Sequence, residues 1–354
     1  MTHSIEDIDT PALVVDETVV RKNIAAMQRH CDKQGLKFRP HVKTHKSIQL
    51  AKMQIDAGAS GINCQKISEA IIMAHAGIDD ILITFNIIGQ QKGTRLLDLH
   101  RRLNKLTVTA DSSTVINGLS TVFSNETKPL NVMIECDTGG GRCGVQLPTD
   151  AAELALLVTD LPGLRCSGLM TYPAAGTGDS TAEFMRNASS LLHSNGLSEF
   201  EVSTGGTPDM WHAQQTGVFT EYRAGTYIYN DRSLVARGTC KQADCAATVL
   251  ATVVSRPTAN RVIIDAGSKT LTSDLFGLDG YGYVIGHDDA KISALSEEHG
   301  TVTIDEHSQL KVGDQLSIIP NHVCVVSNML NEVVLKKSTG EFVSLPIDAR
   351  GCVW

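Results

Sequence analysis

Along roughly the first two thirds of the chain, short β-rich runs alternate with stretches whose apolar positions recur every three or four residues. From Glu17 to Gly35, Val20, Ile24, Met27 and Cys31 are spaced to fall on one helical face. The β-type runs are "LKFRPHVK" (36–43), "SGINCQ" (60–65), "DILITFN" (80–86), "LTVTAD" (106–111), "LNVMIECD" (130–137), "LRCSGLMTY" (164–172), "FEVSTGG" (200–206) and "EYRAGTY" (221–227). Helix-like segments such as "SEAIIMAHAG" and "PTDAAELALLVTDLPG" separate them. Eight strand–helix alternations predict an α/β fold, a closed (β/α)8 TIM-type barrel, with a doubly wound open sheet as the alternative on pattern alone. From about residue 245 the texture changes to short β-type runs separated by turn residues, with no helical period between them. That predicts a C-terminal all-β domain, with which the extended "TPALVV" (10–15) could pair. The expected division is a barrel over 17–245 and a β-domain formed by 1–16 and 246–354.

A barrel places its chemistry at the C-terminal ends of its strands. Lys43, in "RPHVKTHK", falls at the end of the first predicted strand, "TGG" (204–206) follows the seventh, and "AGT" (224–226) belongs to the eighth. Glycines let backbone N–H groups approach an anion closely, and the loops after strands seven and eight commonly hold phosphate. A lysine and a phosphate pocket in one barrel mouth suggest pyridoxal 5'-phosphate, with the lysine amine bonded to the aldehyde. A protonated His41 or His45 would favour the reactive neutral amine; both could equally be loop histidines that only form hydrogen bonds. Arg142, in "ECDTGGGRCG" (135–144), could aim a permanent cation at the cofactor or pair with Asp137 in a turn. In "PNHVC" (320–324), His322 and Cys324 would share a face if they lay on a strand, as two metal ligands do. An imidazole and a thiolate favour zinc over magnesium or manganese and leave positions open for water and substrate.

Composition narrows the partners. A net charge of −8 argues against a nucleic-acid surface or an anionic membrane. There is no run of about 18 apolar residues to span a bilayer, and no signal peptide is evident. Nine cysteines, an odd number without a CxxC, suit reduced thiols and a cytoplasmic location.

Taken together, "DTPALVVD", "RPHVKTHKS", "DTGGGRCG", "STGGTPD", "RAGTYIYND", "IIDAGSKTLTSD" and "PNHVC" run nearly end to end. They resemble the fold-type III pyridoxal-phosphate enzymes, in the D-serine dehydratase and D-threonine aldolase family, whose barrel is like that of the alanine racemase N-terminal domain. The resemblance implies that Lys43 bonds the cofactor, that Arg142 neighbours its phenolic oxygen and that Tyr172 lies beside its ring. Thr204, Gly205, Gly206, Gly225 and Thr226 would cradle the phosphate, and His322 and Cys324 would bind zinc or another divalent metal. It further implies a homodimer acting on a small D-3-hydroxy amino acid such as D-serine, D-threonine or D-threo-3-hydroxyaspartate. The second metal ligand divides the family: His-x-Cys resembles the D-serine dehydratase branch, His-x-Asp the threonine aldolases. Cys324 therefore points to β-elimination, giving a 2-oxo acid and ammonia. Retro-aldol cleavage, racemisation and a non-catalytic carrier of pyridoxal phosphate are the alternatives.

Overall fold

A computed structural model describes residues 4–212 and 217–354. The chain opens with β1 (Ala12–Asp16) and α1 (Glu17–Gln34). Eight short strands follow: β2 (Lys37–Phe38), β3 (Ile62–Cys64), β4 (Asp80–Asn86), β5 (Lys105–Ala110), β6 (Leu130–Cys136), β7 (Leu164–Thr171), β8 (Glu201–Gly205) and β9 (Glu221–Arg223). They alternate with α2 (Ile48–Asp56), α3 (Ile67–His75), α4 (Gln90–Arg102), α5 (Ser113–Phe123), α6 (Pro148–Asp160) and α7 (Gly178–Ser194). After α8 (Arg232–Ala236) come β10 (Ala247–Thr258), β11 (Arg261–Ile264), α9 (Ser268–Leu271), β12 (Gly282–Val284), β13 (Lys291–Leu295), β14 (Gly300–Thr303) and β15 (Gln315–Pro320). The last elements are α10 (Val323–Met329), β16 (Glu332–Lys336) and β17 (Phe342–Pro346). No helix among the described residues is long and apolar enough to cross a membrane.

Two compact units result. The barrel unit comprises Ala26–Lys43, Ile48–Gly225 and Cys352–Trp354; the β-rich unit comprises the residues up to Ala25, Thr44–Ser47 and Thr226–Gly351. These bounds differ from a division at 17 and 245, and hydrogen bonds show why. Asn23 of α1 donates to the Ile228 and Asp244 carbonyls at 3.2 and 2.9 Å, and the Ala246 amide donates to Tyr229 O at 2.7 Å. The first turns of α1 and the segment after Gly225 are thereby tied to the β-rich strands.

The barrel strands pair in the order β2-β9-β8-β7-β6-β5-β4-β3, all parallel. A parallel bridge from His41 to Asn63, with Asn63 N donating to Pro40 O at 2.8 Å, closes the ring. Strands covered on both faces need continuous apolar runs, and every residue of β6 is buried. Val20, Ile24, Met27 and Cys31 of α1 are at most 3% exposed, as their spacing predicts. Burying side chains of this size contributes about 1.5–3 kcal/mol each.

In the β-rich unit, β1 pairs antiparallel with β10 and parallel with β16, so the N-terminal strand is a member of this sheet. β10 also pairs with β11 and β15, and its inward Val249, Ala251 and Val253 are fully buried. One expectation fails here. His322 and Cys324 do not lie on a strand: β15 stops at Pro320, His322 is the N-cap residue of α10, and Cys324 is in its first turn.

Candidate functional site

In the barrel unit, Lys43 lies in a single 3-10 turn, Val42–Thr44, directly after the first barrel strand. It is half-buried. Its backbone N–H donates to His41 Nδ1 at 3.3 Å, and the Ser47 amide donates to His45 Nδ1 at 3.1 Å. A ring nitrogen that accepts an amide proton must carry its lone pair, so both rings hold their proton on Nε2. For His41 that Nε2–H meets Gln65 Oε1 at 3.1 Å. Both histidines thus take part in hydrogen bonds that hold the turn around Lys43.

Arg142 is exposed on the loop after β6 and holds its guanidinium 5.0 Å from the centre of the Tyr172 ring. The turn pairing with Asp137 is not formed. The Asp137 carboxylate instead accepts the Gly139 and Gly141 amides at 3.1 Å, which holds the glycine-rich loop. Burial favours the neutral form of that carboxyl, but these amides and the Gln146 side chain outweigh it and lower its pKa. Tyr172 follows β7, is 44% exposed, and its ring lies 3.6 Å from where a Cβ on Gly206 would stand. Arg142, Tyr172 and Gly206 thus converge.

Thr204 and Gly205 end β8. A Cβ on Gly205 would lie 2.0 Å from the Arg223 carbonyl oxygen of β9, so only glycine fits between these strand ends. Gly206 has φ +133° and gives its N–H to Arg223 O at 2.7 Å. A cavity of about 630 Å³ opens beside Thr204, also lined by Asp209, Tyr222 and the first turn of α7 at Gly178, Asp179 and Ser180. That volume lies in the usual range for small-molecule pockets, about 300–1,000 Å³. The cavity wall thus carries two aspartates beside the start of α7. The lysine after the first strand and the glycine-fitted end of β8 are what fit a phosphate-bearing aromatic cofactor.

Buried groups that the sequence did not single out support this framework. Arg223 donates to Ser203 Oγ at 2.6 Å and to Thr171 O at 2.8 Å, and Tyr222 Oη donates to Gly206 O at 2.7 Å. Glu135 on β6 is buried, which pushes its pKa up against the opposing pull of Arg142 and Arg223. Their roles depend on strand pairing, which no local motif reveals.

The β-rich unit holds Thr226, His322 and Cys324. His322 Nδ1 lies 2.9 Å from Asp231 Oδ2, and the Asp231 side chain is fully buried. Burial opposes charge on the His322 ring, but Asp231 and the Cys324 thiol outweigh it and push its pKa up to about 10. Cys324 Sγ lies 3.1 Å from Thr44 Oγ1 and 3.6 Å from Thr226 Oγ1. Thr226, expected in the phosphate cradle, thus has its hydroxyl near this sulfur. Phe276, with φ 52° and half exposed, sets its ring 4.7 Å from the His322 ring. No group of three or more His, Cys, Asp or Glu side chains among the described residues could hold a metal ion. His322 and Cys324 offer a thiol and an imidazole whose Nδ1 is engaged by Asp231. That chemistry fits a borderline-soft divalent ion with open positions.

A closed parallel barrel with a lysine after its first strand, joined in one chain to a β-rich unit, defines an enzyme of the alanine-racemase class. Residues 15–233 match the family "Alanine racemase, N-terminal domain", and residues 246–335 match "Putative serine dehydratase domain". The chain is 32% identical to a D-threonine aldolase from Arthrobacter sp, over 97% of this chain and 93% of that protein. It is 31% identical to D-threo-3-hydroxyaspartate dehydratase from Delftia sp. (strain HT23), over 92% and 93%. The solved structure of the Delftia dehydratase superposes with a TM-score of 0.90 at 29% identity, covering 96% of this chain and 98% of that one. The chain belongs to the fold-type III pyridoxal-phosphate enzymes, in the D-serine dehydratase and D-threonine aldolase family, and is a lyase of that family. Aldolases and dehydratases stand at nearly equal identity to it, so membership alone does not select the reaction.

Proposed function

We propose that the chain is a pyridoxal-phosphate- and zinc-dependent dehydratase (an ammonia-lyase). It would convert a small D-3-hydroxy amino acid, with D-serine the simplest case, to a 2-oxo acid and ammonia. The observation that carries this is the donor pair on α10: a cysteine, not an aspartate, two residues after a histidine anchored on Asp231. When bound, the cofactor supplies an electron sink for the charge left at Cα, and the metal a Lewis acid that makes the β-hydroxyl a better leaving group.

The chain's residues would divide the work as follows. Lys43 Nζ holds the cofactor at rest and, once released by substrate, takes the Cα proton. Arg142, whose guanidinium lies over the Tyr172 ring, would neighbour the cofactor's phenolic oxygen, and Tyr172 would lie beside its ring. Thr204, Gly205, Gly206, Gly225 and Thr226 would hold its phosphate. His322 and Cys324 would hold the metal. For D-serine the β-hydroxyl leaves as water, and one water is consumed on release of ammonia, so the net products are pyruvate and ammonia. A homodimer in the cytoplasm completes the reading.

Offering D-serine, D-threonine and D-threo-3-hydroxyaspartate separately tests it. Ammonia with a 2-oxo acid is the expected outcome. Glycine with an aldehyde, and no ammonia, would replace elimination by retro-aldol cleavage, the reaction named for the Arthrobacter relative. Exchange of the Cα proton without ammonia would mark a racemase, and no turnover of any of the three a carrier.

A further inference from the structure

We propose that Asp231 is the positioning residue that sets the His322 imidazole for metal binding; this rests on the reading of His322 and Cys324 as metal ligands. The two residues are 91 positions apart, and their side chains meet at 2.9 Å. Asp231 is wholly buried, and four donors fix its carboxylate. Oδ1 accepts from Leu234 N at 3.2 Å and Ser233 Oγ at 2.7 Å, which caps α8. Oδ2 accepts from Val323 N at 3.2 Å and His322 Nδ1, which ties it to the start of α10.

A carboxylate only accepts hydrogen bonds. It therefore holds a proton on Nδ1 and leaves Nε2 as the ring nitrogen that a metal would take, with the ring orientation fixed by the buried cap. Carboxylate–histidine pairs of this kind govern metal affinity by about 10–100-fold. Asn in place of Asp231 has one acceptor oxygen for these four donors. If that oxygen keeps the α8 cap, the amide N–H₂ faces His322 and drives its proton to Nε2, where a metal must bind.

Zinc affinity of the cofactor-loaded protein, read by competition with a fluorescent chelator, should fall about 10–100-fold in Asp231→Asn. Cobalt-substituted native protein should show one exchangeable, downfield-shifted proton resonance from His322 Nδ1–H, lost in deuterated water. In folded Asp231→Asn that resonance should be lost or exchange faster with water, a change that a cap acting only on folding would not cause. Native zinc affinity in folded Asp231→Asn overturns the proposal. So does absence of the resonance in the native cobalt protein, which decides the matter even if the variant does not fold. His322→Ala separates the two levels. Zinc affinity unchanged in His322→Ala refutes the metal reading itself. Affinity lost there but native in Asp231→Asn refutes only the role of Asp231.

Discussion

Lys43 is held by a turn that folds its own amide back onto the ring of His41, while Gln65 grips the far nitrogen of that ring. The backbone position of Lys43 is thus fixed by hydrogen bonds that do not involve its amine. Lys43→Ala should therefore remove the visible absorbance of covalently held cofactor while the protein stays folded. Adding pyridoxal phosphate, dialysing, reducing with borohydride and mapping the modified peptide tests this. A reduced, labelled peptide elsewhere in the variant would assign the covalent role to another lysine. At this scale the sequence was informative where chemistry is local. Lys43 and the arginine of the glycine-rich loop are marked by their position after a strand, whereas Tyr172 is singled out only by the family resemblance. Asp231 was not, because its meaning depends on His322, 91 residues away, and "YNDRSL" reads only as a helix cap.

The same contrast holds for whole elements. Seven of the eight barrel strands lie wholly within the β-type runs of the sequence, and β5 begins one residue earlier, at Lys105. The start of α10 was misread for a physical reason. "HVCVV" is β-branched at three of five positions and follows a true strand, so local propensity favours more strand. Tertiary contacts override it: the buried Asp231 carboxylate takes the Val323 amide and the His322 ring, turning the chain into a helix. The glycines after β8 are also a matter of strand pairing. Between β8 and β9 the Cβ of an alanine at 205 would be driven into the Arg223 carbonyl. Gly205→Ala should cost about 1–3 kcal/mol of stability by overpacking and loosen the cradle beside Thr204. Thermal unfolding and cofactor retention on gel filtration should decline together. Unchanged values for both would mean that the strand ends separate freely and that Gly205 is not required there.

Over the barrel as a whole, closure brings charges from strands far apart in sequence into one buried network. Arg39, following β2, donates to Glu221 of β9 and Asp80 of β4, each at 2.7 Å. Glu221 also accepts from Ser203 of β8 at 2.7 Å. Burial would raise the Glu221 pKa, but Arg39, Ser203 and Arg223 outweigh it and hold the carboxyl below its ordinary range. A carboxyl whose folded pKa is depressed contributes stability that is complete above its unfolded value, about 4.3, and is lost as pH falls through the folded value. Replacing Glu221 by Gln leaves the buried arginine with one carboxylate fewer, and breaking such pairs costs about 3–5 kcal/mol. For a unit of this size that corresponds to a fall of about 6–20 °C in thermal midpoint at neutral pH. The deficit against the native protein should shrink as pH falls below about 4.3, because the unfolded carboxyl takes up its proton before the native one does. Circular dichroism melts at one scan rate, from pH 3 to 7, measure both effects. A constant deficit across that range would show that Glu221 stabilises the barrel by shape and hydrogen bonding rather than by its charge.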